Sequence, residues 1–338
     1  MTLDDRVRAL ALLGFSERQT RFLVTVALHG GFCLRRQYMA FAGLRYGAGV
    51  RDFLDRLVAR KLASRLDFRR DRGHVYHLHA SAIYDAIAQP DNRNRRTASA
   101  ALIARKLMVL DYVLARQDRD WLATEEDKVA LFTARFGVPP LDLPQRIYVD
   151  PGCGTPATTR YFLNKLPIVV QEDPPVVSFV WLVTDVSGDA FEQFVHDHVR
   201  LLSHLPHWRL VAVAPRHIPG LPACGPALER VVAAVGRLRP AGECHALRAY
   251  FARRDQIERS DLRDLTVDDL RAFRKTREQF EGHQFEVLFL RWKRHGDGVL
   301  PDRGSAGFLD AIREGRGALL TEHLPFSYDR FGTRAGVS

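Results

Sequence analysis

The sequence predicts an α+β multidomain chain, and three observations carry that expectation. Residues 3–79 run from helical periodicity into two short alternating segments. Residues 145–214 hold β-rich apolar runs around one amphipathic helix, and beyond Pro215 the pattern turns helical again. With 338 residues and 46% apolar side chains, there is room for two or three domains and a sizeable core. The order of the first part (helix, helix, helix, strand, strand) is that of a winged helix-turn-helix. The expected division is a winged helix-turn-helix DNA-binding domain at 1–90, a helical connector at 91–140, an α/β domain at 141–240 and a C-terminal helical region at 241–338.

Each element has a local cause. Residues 3–13 begin with Asp4 and Asp5, whose carboxylates suit the positive end of a helix dipole, and Gly14 ends that helix. Ser16 is placed to cap the next helix, with Phe22, Leu23, Val26 and Ala27 on its core face and Gly30-Gly31 as its stop. Leu34 to Ala42 is a short helix, and Gly43 to Gly49 turns into Tyr46–Leu62, where Val50, Phe53, Leu54, Leu57 and Val58 form one stripe. Ala63–Phe68 and His74–His79 alternate as the strands of a hairpin with Arg69-Arg70-Asp71-Arg72-Gly73 at its tip.

Ser81 opens a further helix, and the polar run Pro90–Arg96 reads as a linker or the mouth of a DNA groove. Along Ala98–Arg116, Leu102, Ile103, Leu107, Leu110, Val113 and Leu114 share one side, which would serve either dimerisation or packing across its own domain. Thr124 with Asp127 three residues on is a capping arrangement. Gln145–Val149, Leu166–Val170, Val176–Thr184 and Trp208–Ala214 read as strands, the third buried on both faces. With the amphipathic helix at 189–205, strand, helix, strand implies a parallel pair. Helices are expected at 225–237, 243–257 and 266–293, with a loop at 296–304 and a frayed end.

Charge is distributed unevenly. Residues 1–117 carry 21 Lys and Arg against 10 Asp and Glu, a net of +11, whereas the remainder carries 29 against 30. Such asymmetry points to a polyanion partner at one end, and double-stranded DNA is the commonest. The four cysteines, Cys33, Cys153, Cys224 and Cys244, lie far apart without a CxxC pair, as in a reducing, cytoplasmic chain. No run of about 18 apolar residues would cross a membrane, and no leader is read at the start.

The residues expected to meet DNA are Arg45, Arg51, Arg56, Arg60 and Lys61 on and around the third helix, and Arg65, Arg69, Arg70 and Arg72 on the hairpin. Helix arginines opposite a core stripe suit the major groove, and hairpin-tip arginines suit the phosphate backbone. The hairpin tip also reads as a plain solvated basic turn.

Phe15–His79, through RDFLDRLVARKLASRL and then VYHLH, resembles the winged-helix domains of bacterial regulators and mobile-element proteins, and most nearly the replication-relaxation family. That resemblance implies DNA binding, with recognition carried by Arg51, Arg56 and Arg60 and the wing by Arg69, Arg70 and Arg72. It implies no catalysis.

Other chemistries find weaker support. A restriction-endonuclease-like site would need Asp185 joined by a Glu-x-Lys on the next strand. That strand, WRLVAVAPRH, has none, and Glu126-Asp127-Lys128 belongs to a capped helix start, leaving only a rearranged set of Asp185, Asp189 and Glu192. His196, His198, His204 and His207 crowd one helix and its turn without metal-ligand spacing. Asp150–Thr155 lacks the phosphate-loop pattern, and Cys153 lacks a partner base. The sequence therefore predicts a DNA-binding regulator or accessory factor of a mobile or defence-related locus, with no cofactor and no metal. Its α/β part would assemble with a second copy or a protein partner, or sense one. An unconventional nucleic-acid enzyme and a winged-helix scaffold for protein contacts are the alternatives.

Overall fold

Capping fixes where the first helices begin. In the computed structural model, which describes residues 1–45, 47–67, 74–148, 158–184, 186–216, 218–237, 242–259, 267–296 and 306–328, Thr2 and Asp5 form a capping box at α1 (Leu3–Ala11). Ser16 and Gln19 form another at α2 (Glu17–His29). Next come β1 (Phe32–Leu34), α3 (Arg35–Ala42), α4 (Ala48–Ala59), β2 (Ala63–Asp67) and β3 (His74–Leu78). The sequence pattern missed β1, three buried residues that pair antiparallel with β3 and complete a sheet ordered β1-β3-β2. Phe22, Tyr38 and Phe53 close the core beneath it, joined by α5 (Ser81–Ala86) through Ile83 and Tyr84.

The remaining chain is built on a five-stranded sheet, so the molecule is mixed α+β. Its elements are α6 (Ala100–Leu114), β4 (Trp121–Leu122), α7 (Glu125–Ala130, extended by a π-helical turn to Arg135), β5 (Gln145–Tyr148) and β6 (Thr158–Tyr161). After these come β7 (Ile168–Gln171), β8 (Val176–Leu182), α8 (Asp189–His204), β9 (Trp208–Pro215) and α9 (Leu221–Arg237). The chain continues through α10 (Gly242–Glu258), α11 (Val267–Gln279), α12 (His283–His295), α13 (Ala306–Arg313) and β10 (Gly317–Leu324). The sheet order is β10-β9-β8-β7-β4. The expected parallel pair is β8 and β9, and all seven residues of β8 are buried.

Three boundaries differ from expectation. Residues 91–140 are not a separate connector, because β4 pairs with β7 inside the main sheet and α6 is shared by two cores. Leu110 and Leu114 of α6 join the N-terminal core, while Ile103, Leu107 and Val113 join the core of the large sheet. The apolar side offered for dimerisation is thus spent inside the chain, with only Leu102 left exposed. Residues 241–338 are not purely helical, because β10 lies parallel to β9 as an edge strand. Between α9 and α13, helices α10, α11 and α12 close a small aromatic core of their own around Tyr250, Phe251 and Phe289. The single helix expected at 266–293 is broken at Gly282, whose φ of +141° no helix can hold.

Candidate nucleic-acid interface

At about 100° per residue, the stripe Val50, Phe53, Leu54 and Leu57 on α4 leaves Ala48, Asp52, Asp55 and Ala59 at the centre of the opposite, exposed face. The arginines flank that face. Arg51 lies on one side, 61% exposed, with its Nε 3.8 Å from Asp52. On the other side, Arg56 and Arg60 both sit 5.1 Å from the ring centroid of Phe15; Arg56 donates to Gln19 Oε1 at 2.8 Å and Arg60 to the Leu13 carbonyl at 2.7 Å. The structure therefore brings Arg56 and Arg60 together as a clamp on the α1–α2 turn, apart from Arg51. Arg45 is exposed in the turn before α4, and Lys61 is exposed at a φ of +55°. Arg65 on β2 lies 3.6 Å from Asp67, which His74 also meets at 2.6 Å. Arg69, Arg70 and Arg72 lie outside the described residues.

A second cationic site forms where the sequence showed only the polar run Pro90–Arg96. Asn94 is buried there. Its side-chain amide donates to the carbonyls of Ala27 and Leu28 at the C-terminal end of α2 and accepts from Lys106 at 3.0 Å, and its own carbonyl accepts from His77 Nε2 at 3.0 Å. Gly31 makes this approach feasible: its φ is +74°, and a Cβ there would stand 2.4 Å from the Asn94 carbonyl oxygen. The segment is pinned, and it turns Arg93 and Arg96 into a cleft of about 310 Å³. Arg105 and Lys106 of α6 form one wall, and Lys165, in the turn between β6 and β7, faces them. Arg95 points elsewhere, donating to the Pro90 carbonyl.

Burial lowers the proton affinity of these lysines, and like charge adds to the lowering. Burial, reinforced by Lys165, pushes Lys106 down to about 8; burial, then Arg93, lowers Lys165 as well. Behind the cleft, Lys128 is 2% exposed and donates to the Leu166 carbonyl at 2.7 Å; burial, then Lys165, brings it down to about 7. Sequence reasoning did not single out Arg105, Lys106 or Lys165. The one signal was the Arg-Asn-Arg-Arg run, because Lys165 arrives only through the fold.

The enzymatic alternatives gain no geometry. Asp185, Cys153 and the 150–155 turn lie outside the described residues. Glu192 is held by Arg230 at 2.7 Å, with Asp189 3.9 Å from the same guanidinium. His198 is buried with Nδ1–H donating to the Phe194 carbonyl, and burial pushes it down to about 4; His204 bonds Asp142 at 2.9 Å. Among the described residues, no three His, Cys, Asp or Glu side chains gather as a metal site. Cys33 is buried and its thiol is pushed up to about 12, far from a nucleophile's range. Among the described residues, no helix is long and apolar enough to cross a membrane.

Comparison with protein-family models, curated proteins and solved structures returns no match for this chain.

Proposed function

We propose that the chain binds double-stranded DNA through its N-terminal ninety residues, in the manner of a winged helix. The carrying observation is the arrangement α2, β1, α3, α4, β2, β3 with strand order β1-β3-β2. It leaves one side of α4 uncovered beside the most basic part of the chain. The positions of the side chains redistribute the roles. Arg51, with Arg45 before it, is the base-edge and phosphate candidate, while Arg56 and Arg60 hold α4 in place. Asp52 and Asp55 would repel phosphates and can accept only from base amino groups, which narrows the duplexes that fit. The resemblance to the replication-relaxation family supports a regulator or accessory factor of a mobile or defence-related locus.

Fluorescence anisotropy of the full chain on duplex DNA at two salt concentrations tests this reading. Binding is expected to weaken steeply with salt, as phosphate contacts require. Arg51→Ala is expected to reduce discrimination between duplexes more than Arg65→Ala does. No binding, or salt-independent binding, would remove it. The acidic centre of the α4 face supports a second reading, contact with a basic protein surface. That reading gains if DNA does not bind and a partner is released by Asp52→Asn with Asp55→Asn.

A further inference from the structure

The cleft at the C-terminal end of α2 gathers five cations, and no carboxylate lines it. Several arginines elsewhere are engaged: Arg36 makes a two-pronged contact with Asp111 at 2.6 and 2.7 Å, Arg135 makes one with Glu172, and Arg254 makes one with Glu286. Arg93, Arg96, Arg105 and Lys165 make no ion pair or hydrogen bond through their side chains among the described residues; Lys106 bonds Asn94 and lies 5.1 Å from the Phe32 ring, and Arg105 lies 5.8 Å from the Trp181 ring, so none of the five meets a carboxylate there. The charge of Glu125 reaches Lys165, but that carboxylate is occupied by the Tyr161 N–H at 2.8 Å and by Arg160.

Gathering unpaired cations in a half-enclosed site is unfavourable unless an anion completes it, since burial and mutual repulsion both oppose the charged forms. The site is also preorganised: the Asn94 bonds hold one wall and a helix forms the other. Its rim is apolar. Leu102 and Leu163, 44% and 43% exposed, are two of the large hydrophobic side chains left in water, and both line the cleft. Arg105 and Lys106 lie half-buried in the wall, while exposed Arg93, Arg96 and Lys165 share the mouth with the two leucines; cations beside apolar side chains fit an amphiphilic anion, and the volume lies at the small end of ligand sites.

We propose that this cleft binds a small organic phosphate of nucleotide size, its phosphate among Arg93, Arg96, Arg105, Lys106 and Lys165 and its apolar body against Leu102 and Leu163. Duplex DNA is the less fitting occupant, because backbone contacts are made by projecting side chains, whereas Arg105 and Lys106 are sunk into the wall. The cleft is also distinct from the α4 surface. Arg56 bonds Gln19 near the start of α2 and the cleft holds His29 at its end, ten residues or about 15 Å along the helix.

The test uses the full chain, titrated calorimetrically with ATP, pyrophosphate and adenosine, with melting temperature read in parallel. ATP and pyrophosphate are expected to bind saturably and raise the melting temperature with concentration; adenosine is expected to bind far more weakly. Arg105→Gln with Lys165→Gln should weaken ATP binding by at least about tenfold, since each removes a charged hydrogen bond. If that pair does not fold, Arg96→Gln, an exposed change, carries the same expectation. Absence of saturable binding by any phosphate, or undiminished binding by the folded variant, would overturn the proposal. Pyrophosphate binding without ATP binding would overturn the organic body. Loss of duplex binding alone in the variant, with no small phosphate bound by the parent, would reassign the cleft to DNA; Arg51→Ala, remote from the cleft, reports separately on the α4 surface.

Discussion

Two groups of arginines in this chain have the same charge and opposite surroundings. Those of α4 and α3 are given partners: Phe15, Gln19 and the Leu13 carbonyl for Arg56 and Arg60, and Asp111 with the ring of Phe326 for Arg36. Those of the cleft, with the lysines beside them, have no carboxylate among the residues that line it; Arg105 has only the Trp181 ring, and Lys106 the Phe32 ring and Asn94. The difference teaches that a count of positive charge locates cations without saying which are available to a ligand. Arg56 and Arg60 were legible as part of a binding surface and are held by the fold instead, whereas Arg36 was not singled out. The second group was scarcely legible.

The largest expected effect comes from removing what holds the cleft in place. Gly31→Ala forces a side chain into a left-handed conformation and against the Asn94 carbonyl, and should cost about 2–5 kcal/mol in urea denaturation, adding backbone strain to overpacking. If the cleft is preformed by Asn94, the same change abolishes anion binding; unchanged stability would mean that the Gly31–Asn94 approach is not tight.

Lys128 tests the comparison through pH. Its folded value near 7 lies below the usual lysine value of 10.5, so between these limits the unfolded chain binds more protons and stability rises with pH. From pH 7 to 9.5 that contribution is on the order of 3 kcal/mol, and Lys128→Met should flatten the rise, which denaturant midpoints across that range would show. Lys106 adds to the rise from about 8 upward and survives the substitution. At the acid end, His198 and His29, held near 4 and 3 by burial, make stability fall as pH drops from about 6.5 toward those values.

Asp111 probes the partnered group. It receives Arg36 and the Tyr328 hydroxyl while 5% exposed, so Asp111→Ala strands a guanidinium that is itself one-third exposed. A loss of about 2 kcal/mol is expected, less than for a fully buried pair because Arg36 can turn to water. The smallest effect belongs to Arg56→Ala and Arg60→Ala, each about 0.5–1 kcal/mol for a surface cation over a ring. Large losses of DNA discrimination from either, with stability unchanged, would restore them as base readers.

What the sequence disclosed follows the range of the signal. β8 and β9 were readable because continuous apolar runs mark strands covered on both faces, and α8 because its stripe has a single period. The arginine flanks of α4 were readable as outward, but their capture by Phe15 was not, since Phe15 belongs to another helix's approach. β10 escaped because GALLTEHL is an edge strand with exposed polar positions. The cleft escaped because residues 93–106 and Lys165 are far apart in sequence and are brought to one site only by the tertiary fold.

The shared helix α6 sets the terms on which this chain can be cut or recombined. A break after residue 117 would leave Ile103, Leu107 and Val113 without the strands they pack on, so an isolated N-terminal piece would carry an adhesive stripe into solution. Heat should therefore melt the three-stranded and five-stranded sheets together, in one calorimetric transition, and a graft that transplants either half without its own α6 should be lost to aggregation before its binding can be measured.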